Sequence, residues 1–386
     1  MSTEKQEIES ICVHAGRRDG NAGVVNAVQP STAYQYLDEG EQPYPRYFNT
    51  PNQEIVVEKL CSLENASAGA IFASGMSAIS TTLLTLARTG DHVVFQRSLY
   101  GGTYAFATKE YRHSGVDVTF ADCEVSSIVD AIRPNTKLIY VETPANPLLD
   151  VVDLKRLTEA AKARGVITIA DNTFATPINQ NPLKLGVDVV IHSGTKYLGG
   201  HSDLCFGAVL SREELMQPIR EKALLLGGNV NALTCYLAER SLKTLAIRVR
   251  QQNRNALRVA EFLEAHALVK RVDYPGLPTH PRHDVAASQM SGFGGMLSFE
   301  LVDSVCPKTL VRTLRLITPA MSLGGVESTA TIPYETSHKP IPVEERLELG
   351  VTDKLIRLSI GIEAEEDLVA DLDQALGAMI DSKGAV

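Results

Sequence analysis

Seven short runs that are apolar on both faces, at residues 69–73, 92–96, 116–121, 137–142, 166–170, 188–192 and 206–210, are separated by helical stretches along the middle of the chain. A strand that faces water on one side alternates apolar with polar residues, so a run that does not alternate belongs between two covering layers. The intervening segments 55–63, 76–88, 104–113, 126–132 and 153–164 read as helices, with Ile79, Leu83 and Leu86 at helical spacing in the second. Gly115 and Gly165 stop the third and the fifth. Alternation of this kind predicts an α/β fold, a mainly parallel or mixed sheet covered by helices.

The flanks read differently. Residues 1–51 interleave Pro, Gly and Asn with Tyr34, Tyr36, Tyr44, Tyr47 and Phe48, and predict an extended arm with little regular structure, which packs on a partner subunit or builds a functional site. After the large domain, placed at 52–240, a long helical region from 231 to about 267 leads into a smaller α+β domain, 241–386. Its strands are expected at 270–274, 295–301, 314–318 and 355–360, and a helix at 365–379. A chain of 386 residues exceeds what one hydrophobic core serves, which fits this division.

Bulk properties exclude several classes. A net charge of -9, with no Lys/Arg-rich block, leaves nothing to attract a phosphate backbone or an anionic membrane, so nucleic acid is not expected as a partner. The opening MSTEKQEIES lacks the basic-then-apolar pattern of a secretion signal, and no 18-residue uncharged apolar run follows it. Cys12, Cys61, Cys123, Cys205, Cys235 and Cys306 are scattered without C-x-x-C spacing, which points to neither a disulfide framework nor zinc and fits a cytoplasmic setting. His280-Pro-Arg-His283 has no third ligand nearby and reads as a solvated loop, so no metal is expected.

In open α/β sheets ligands sit at the carboxyl ends of the strands, and most of these ends carry a chemically suggestive group. Ser74-Gly75-Met76 opens a helix whose free N–H groups suit an anion, or else Ser74 is an ordinary helix cap. Tyr100-Gly101-Gly102 sets an aromatic ring beside backbone that can approach a flat ligand, or is a packed turn. Asn146 stands between Pro144 and Pro147 in a rigid loop. Asp171 ends an apolar strand, where a carboxylate needs a cationic partner such as a protonated ring nitrogen, or caps the next segment. Ser193-Gly-Thr195-Lys196 places two hydroxyls beside a lysine, and a lysine desolvated or surrounded by positive charge becomes a nucleophile able to condense with an aldehyde. Arg357, inside the apolar run Leu-Ile-Arg-Leu, demands an anion, either a substrate carboxylate or a protein acid.

An imine-forming lysine, an aspartate for a ring nitrogen, a stacking tyrosine, a helix start for phosphate and an arginine for a carboxylate describe a pyridoxal-phosphate (PLP) enzyme acting on an amino acid. The chain resembles the trans-sulfuration family of such enzymes, which includes cystathionine γ-synthase, cystathionine γ-lyase, cystathionine β-lyase and methionine γ-lyase. The resemblance runs from about residue 44 to about 380 and rests on Tyr44-Pro-Arg46 with Asn49, Ser74-Gly75-Met76, Leu99-Tyr100-Gly-Gly-Thr103, Glu142-Thr-Pro-Ala-Asn146-Pro, Asp171-Asn-Thr, Ser193-Gly-Thr195-Lys196, Ser322-Leu323-Gly-Gly325 and Arg357-Leu-Ser-Ile-Gly361. It implies the type I PLP fold, the fold of aspartate aminotransferase, and a homotetramer built as a dimer of dimers with shared active sites. By the same resemblance Lys196 holds PLP as an imine and shuttles protons, Asp171 pairs the ring nitrogen and Tyr100 stacks on the ring. Gly75, Met76, Ser193 and Thr195 hold the phosphate, together with Tyr44 and Arg46 from a neighbouring subunit. Asn146 contacts the cofactor hydroxyl, Arg357 the substrate carboxylate, and Ser322, followed by Leu323 on the substrate side, steers the lysine. The implied chemistry makes or breaks the C–S bond of cystathionine or a related sulfur amino acid, with γ-chemistry preferred over β.

Three positions depart from the subgroups of that family. Met321 precedes Ser322 where members specific for cystathionine commonly carry glutamate, Pro43 replaces an acidic neighbour of the Tyr-x-Arg motif, and Gly102 stands where methionine γ-lyases usually have cysteine. A nucleotide-binding oxidoreductase is disfavoured because no G-x-G-x-x-G turn follows an early strand. Intact Lys196, Asp171 and Arg357 argue against a catalytically silent relative.

Overall fold

The central sheet is built from β1 (Ala68–Phe72), β2 (His92–Gln96), β3 (Asp117–Ala121), β4 (Thr136–Glu142), β5 (Ile167–Asp171), β6 (Val189–Ser193) and β7 (Gly207–Ser211). These elements come from a computed structural model that describes residues 6–18, 23–37, 40, 42–339 and 342–381. The spatial order is β1-β7-β6-β5-β4-β2-β3. β7 runs antiparallel to both its neighbours, and the remaining pairs are parallel. The sheet is therefore mixed and mainly parallel, as the unbroken apolar runs imply. Alternate residues feed two separate cores: Ile139, Val141, Ala170 and Val190 pack on one face, and Leu138, Tyr140, Ile169, Val189 and Ile191 on the other. Each large apolar side chain so buried contributes about 1.5–3 kcal/mol, which is why the strands tolerate no polar alternation.

Three helices gather around the start of this sheet. α1 (Ile8–His14) lies in the arm, α2 (Pro51–Glu64) follows it, and α3 (Gly75–Leu86) leaves the end of β1. α2 starts with Pro51 at its first turn and a capping box in which Thr50 and Gln53 satisfy each other's backbone groups. α3 starts where the Ser74 hydroxyl accepts from the N–H of Ser77 at 3.1 Å.

A second sheet, ordered β10-β11-β12-β9-β8, comprises β8 (Val269–Asp273), β9 (Met296–Leu301), β10 (Thr318–Pro319), β11 (Thr329–Thr331) and β12 (Leu355–Ser359). It packs on helices Leu245–Glu264 and Glu365–Asp381 around its own core, with Val259, Leu263, Phe299, Leu358 and Leu372 among its members.

Several expectations change. The strand expected at 314–318 shrinks to the two residues of β10, because the N–H groups of Arg315, Leu316 and Ile317 go to the Asp371 carboxylate at 2.8–2.9 Å instead of to a neighbouring strand. The helical region from 231 is two helices, Ala232–Leu242 and Leu245–Glu264, and at the break the buried Arg248 donates to the carbonyl of Ser241 at 3.0 Å and to that of Tyr197 at 2.8 Å. Helix Glu213–Leu226 went unread because Pro218 in its interior argues against a continuous helix. The arm is not wholly irregular: Cys12 of α1 is buried in the core of its own chain, and the carbonyl of Cys12 accepts from Lys59 Nζ at 2.8 Å. Residues 1–5, 19–22, 38–39 and 41 of the arm lie outside the described residues.

Candidate active site

β4, β5 and β6 end side by side, so Glu142 and Asp171 are partners in the register of β4 and β5, and Ser193 ends the next strand. The turn after β6 carries Lys196, and the turn after β1 carries the first residues of α3. A cavity of about 320 Å³ lies over these ends and is closed from the other side by residues 321–323, Ser337 and Arg357 of the second half of the chain.

Lys196 Nζ donates to Ser322 Oγ at 2.9 Å. Ser322 sits at φ +77°, a left-handed conformation unfavourable for a residue with a Cβ, within the turn that presents its hydroxyl. Burial, and then the charge of Arg357, push the Lys196 ammonium below its ordinary range, which raises the share of neutral, nucleophilic amine. This is the environment that the sequence required of an imine-forming lysine.

Two carboxyl groups share the floor, Glu142 buried and Asp171 half-buried. Burial raises the Asp171 pKa, even though its Oδ1 accepts from the Thr173 N–H at 2.9 Å and its Oδ2 from the Tyr140 hydroxyl at 3.4 Å. Burial and the neighbouring Asp171 push Glu142 well up, and its Oε2 accepts from the Tyr100 N–H at 2.8 Å. Like charges this close in a dry site resist joint ionisation, so a cationic ligand atom against Asp171 would be strongly favoured.

Arg357, for which sequence leaves a ligand anion or a protein acid, is held here by neutral oxygens. It is 6% exposed, and its guanidinium donates to Asn146 Oδ1 at 2.7 Å and to the carbonyl of Ser322 at 3.2 Å, leaving Nε without a partner. Among the described residues no carboxylate pairs with it. Burial lowers its pKa only to about 10, so it stays charged near neutrality. A buried arginine that lines a cavity and, among the described residues, pairs with no protein acid is suited to a ligand anion.

Gly75, Met76, Tyr100, Asn146, Asp171, Ser193, Thr195, Lys196, Ser322, Leu323 and Arg357 all line this cavity. Tyr44 and Arg46 do not. Arg46 donates to the carbonyl of Leu224 at 2.7 Å and stacks over Tyr44 and Tyr47 at 5.7 and 5.3 Å, and the N–H of Tyr44 is held by Asn49 Oδ1 at 2.8 Å. Ile79, Phe174, Cys205 and Ser337 also line it and escaped the sequence reading, as did any role for Glu142 and Thr173, which stood in matched motifs. Phe174 could have been found by extending the Asp171-Asn-Thr motif one residue, whereas nothing near Cys205 or Ser337 in sequence marks them.

The His280-Pro-Arg-His283 segment is not a solvated loop. His280 is 5% exposed, and burial lowers its pKa to about 4; the N–H of Arg282 donates to its ring, and His283 Nδ1 meets the carbonyl of Pro275 at 2.9 Å. Packing against the chain's own backbone replaces water at both rings.

The residues present fit PLP. A Cβ on Gly75 would stand 2.8 Å from Ser193 Cβ, and one on Gly102 would stand 2.5 Å from the Tyr100 ring, so both glycines keep a close-walled cradle open between a helix start and an aromatic face. An amine nucleophile, a buried carboxylate, hydroxyls beside a helix N-terminus and an anion receptor are the donor set that this cofactor and an amino acid require.

Comparison with known proteins agrees. Residues 9–377 match the family described as Cys/Met metabolism PLP-dependent enzyme. The chain is 42% identical to cystathionine gamma-lyase of Bacillus subtilis, covering 95% of this chain and 98% of that protein. It is 41% identical to cystathionine beta-lyase of the same organism, covering 97% and 98%. A crystal structure of cystathionine gamma synthase from Xanthomonas oryzae pv. oryzae, in complex with aminoacrylate and cysteine, superposes with a TM-score of 0.94 at 38% identity, covering 98% and 100%. With the cavity, its buried charges and a match along almost the whole length, this chain belongs to the PLP-dependent enzymes of cysteine and methionine metabolism, and it has their type I fold.

Proposed function

We propose that this protein makes or breaks the C–S bond of cystathionine or a closely related sulfur amino acid, by β/γ-elimination or γ-replacement, with γ-chemistry preferred. The observation that carries the reading is Arg357, a buried, charged guanidinium that pairs with no acid among the described residues, beside the Lys196–Ser322 contact. It gives the α-carboxylate of an amino acid one place to dock, and docking there sets the α-carbon beside Lys196.

Bound PLP supplies an electron sink for negative charge at the substrate's α-carbon. The chain supplies the rest. Lys196 would anchor the cofactor and, as a free amine, would take and return protons at the α- and β-carbons. Ser322, at 2.9 Å, steers that amine. One base on a loop, held by a single side-chain hydroxyl, can serve two adjacent carbons, which supports γ-chemistry. Asp171 would hold the ring nitrogen, Tyr100 would cover the ring face, and Asn146, whose Oδ1 accepts from Arg357, would meet the cofactor's hydroxyl. Leu323 borders the substrate. Ser193, Thr195, Gly75 and Met76 would hold the phosphate.

Tyr44 and Arg46, outside the cavity of their own chain, are assigned to the phosphate of a neighbouring subunit, in a homotetramer made of two close dimers. Exposed Tyr36 and Leu37 in the same arm support burial against a partner. No described helix is long and apolar enough to cross a membrane, and a cytoplasmic site of action is proposed.

The test is to incubate the purified enzyme with cystathionine, methionine, cystine and activated homoserine esters and to identify products by mass. 2-Oxobutanoate from cystathionine reports γ-cleavage, and a thioether from an ester plus cysteine reports γ-replacement. Predominant pyruvate from cystathionine would overturn the γ-preference, and no C–S product from any substrate would overturn the function.

A further inference from the structure

A fully buried polar network lies beneath the sheet, on the face away from the cavity. Consecutive side chains of a strand point to opposite faces. Asp171 and Ser193 line the cavity, whereas His192, which precedes Ser193 in β6, points to the opposite face, where Asn172, the first residue past the end of β5, also lies, and both are at most 1% exposed. There they meet Glu64, the last residue of α2, which is 0% exposed. Glu64 Oε1 shares a hydrogen bond of 2.6 Å with His192 Nε2 and accepts from Asn172 Nδ2 at 2.8 Å. Its Oε2 accepts from Asn181 Nδ2 at 3.3 Å. Among the described residues no lysine or arginine pairs with Glu64, and the other ring nitrogen of His192 has no hydrogen bond, so Glu64 alone orients that ring.

The network does not end below the sheet. Asn172 is also clamped by Gln180, which donates to its Oδ1 at 2.9 Å and accepts from its Nδ2 through the backbone carbonyl at 2.9 Å. The next residue, Thr173, donates its N–H to Asp171 Oδ1 at 2.9 Å and accepts from the Ser193 N–H at 2.8 Å. The turn Asp171-Asn172-Thr173 is thus pinned from beneath by Glu64 while it aims a carboxylate and a hydroxyl-bearing strand end at the cavity. A carboxylate with no exposure is costly to retain where apolar packing would stabilise the fold as well, and such groups persist where they fix one arrangement among several.

We propose that Glu64 is a positioning residue for cofactor binding, which through Asn172 and His192 holds Asp171 and Ser193 at the angle their contacts with PLP require. The inference rests on the assignment of Asp171 to the cofactor ring. It predicts that Glu64 acts through Asp171 and not on the fold at large.

The experiment is a double-mutant cycle on the full-length chain, read by equilibrium dialysis against PLP, by the absorbance of the bound cofactor and by the thermal midpoint. Glu64→Ala is expected to raise the Kd for PLP by about tenfold, in the range of coupled neighbours. Glu64→Gln, which keeps an acceptor for His192 and Asn172, is expected to stay within about threefold of the parent. In an Asp171→Asn background Glu64→Ala should then change the Kd little further. Asn172→Leu cuts the same link with the Glu64–His192 contact left in place, and should behave likewise even if Glu64→Ala fails to fold. Effects that multiply in the double variant, or an unchanged Kd in the single ones, would overturn the positioning role and leave the Asp171 assignment standing. An Asp171→Asn variant with the parent's Kd and absorbance would overturn that assignment and this inference with it.

Discussion

Arg357→Lys is the perturbation that most directly separates a substrate receptor from a structural charge. The guanidinium sits 6% exposed, with one arm on Asn146 Oδ1 at 2.7 Å and another on the Ser322 carbonyl at 3.2 Å. Lysine keeps the positive charge but has no planar fork, so it cannot hold those two oxygens and still present paired donors to a carboxylate. A charge-assisted hydrogen bond contributes about 1.5–3 kcal/mol, and 1.36 kcal/mol is tenfold in rate. Loss of one such bond, about 2 kcal/mol, corresponds to a fall in kcat/KM of about 30-fold. Arg357→Ala also leaves a substrate carboxylate unpaired in a dry site, and about 4 kcal/mol or 1,000-fold is expected. The decisive assay compares each amino-acid substrate with the amine that lacks its carboxylate. The parent enzyme should discriminate strongly against the amine, and the Arg357 variants should lose that discrimination while their turnover of the amine barely changes. Equal losses on both compounds, or an Arg357→Lys enzyme within about threefold of the parent, would refute the assignment.

Lys196→Ala should abolish borohydride-trappable cofactor and lower turnover by about 10⁴-fold or more, with peptide mapping of the parent placing the label on Lys196. Because burial and Arg357 lower the Lys196 pKa, cofactor loading of the apoprotein should rise with pH and level off below the ordinary lysine value of 10.5, whereas a profile climbing past that value contradicts the site. If Arg46 serves the partner's site, mixing Arg46→Ala with Lys196→Ala chains creates hybrid dimers with one intact site, and about a quarter of parental activity should return on exchange of subunits. No recovery sinks the shared-site assignment. Lys59, buried by α1 and lowered by desolvation to about 8, loses its proton in the native state before the unfolded chain does at 10.5, so stability should gain with rising pH across that window. Lys59→Met removes that slope, worth roughly 3 kcal/mol, and a parent-minus-variant difference in Tm that stays flat between pH 8 and 10.5 would contradict the burial.

The reach of sequence reasoning was set by how far apart the interacting groups lie along the chain. The strands of the central sheet were legible because burial on both faces leaves an unbroken apolar run, and their ends carried Asp171 and Ser193 in plain view. The chemistry of each short motif was equally local. Arg357 was ambiguous, since its sequence neighbours say only that it is buried; its partner Asn146 lies 211 residues away, and that no carboxylate among the described residues pairs with it is a property of the folded chain. Lys196 and Ser322, 126 residues apart, were brought together only by family resemblance. Glu64 escaped altogether: as the final, charged residue of a helix it looks like a solvated end, and what it meets there is His192, 128 positions on. The strand expected at 314–318 failed for the same reason, because Asp371 takes its N–H groups from outside the segment.

The division of labour across the cavity bears on control of the reaction. The groups assigned to the cofactor, Asp171, Ser193, Thr195 and Lys196, hang from the central sheet, whose strand ends are locked by hydrogen bonds above and below. Those assigned to the substrate, Arg357 and Ser322, come from the second sheet and the loop preceding β11. Lys196–Ser322 and Arg357–Asn146 are the side-chain hydrogen bonds that bridge the two sets within the cavity. Were a substrate carboxylate to dock on Arg357 and a substrate amine to displace Lys196, both bridges would be engaged in one event, so binding itself would change how the second sheet is tied to the first. A substrate lacking either its carboxylate or its amine would engage one bridge only. Loss of kcat as well as KM for such compounds is therefore expected, since binding energy at Arg357 places the α-carbon and releases the base in the same event.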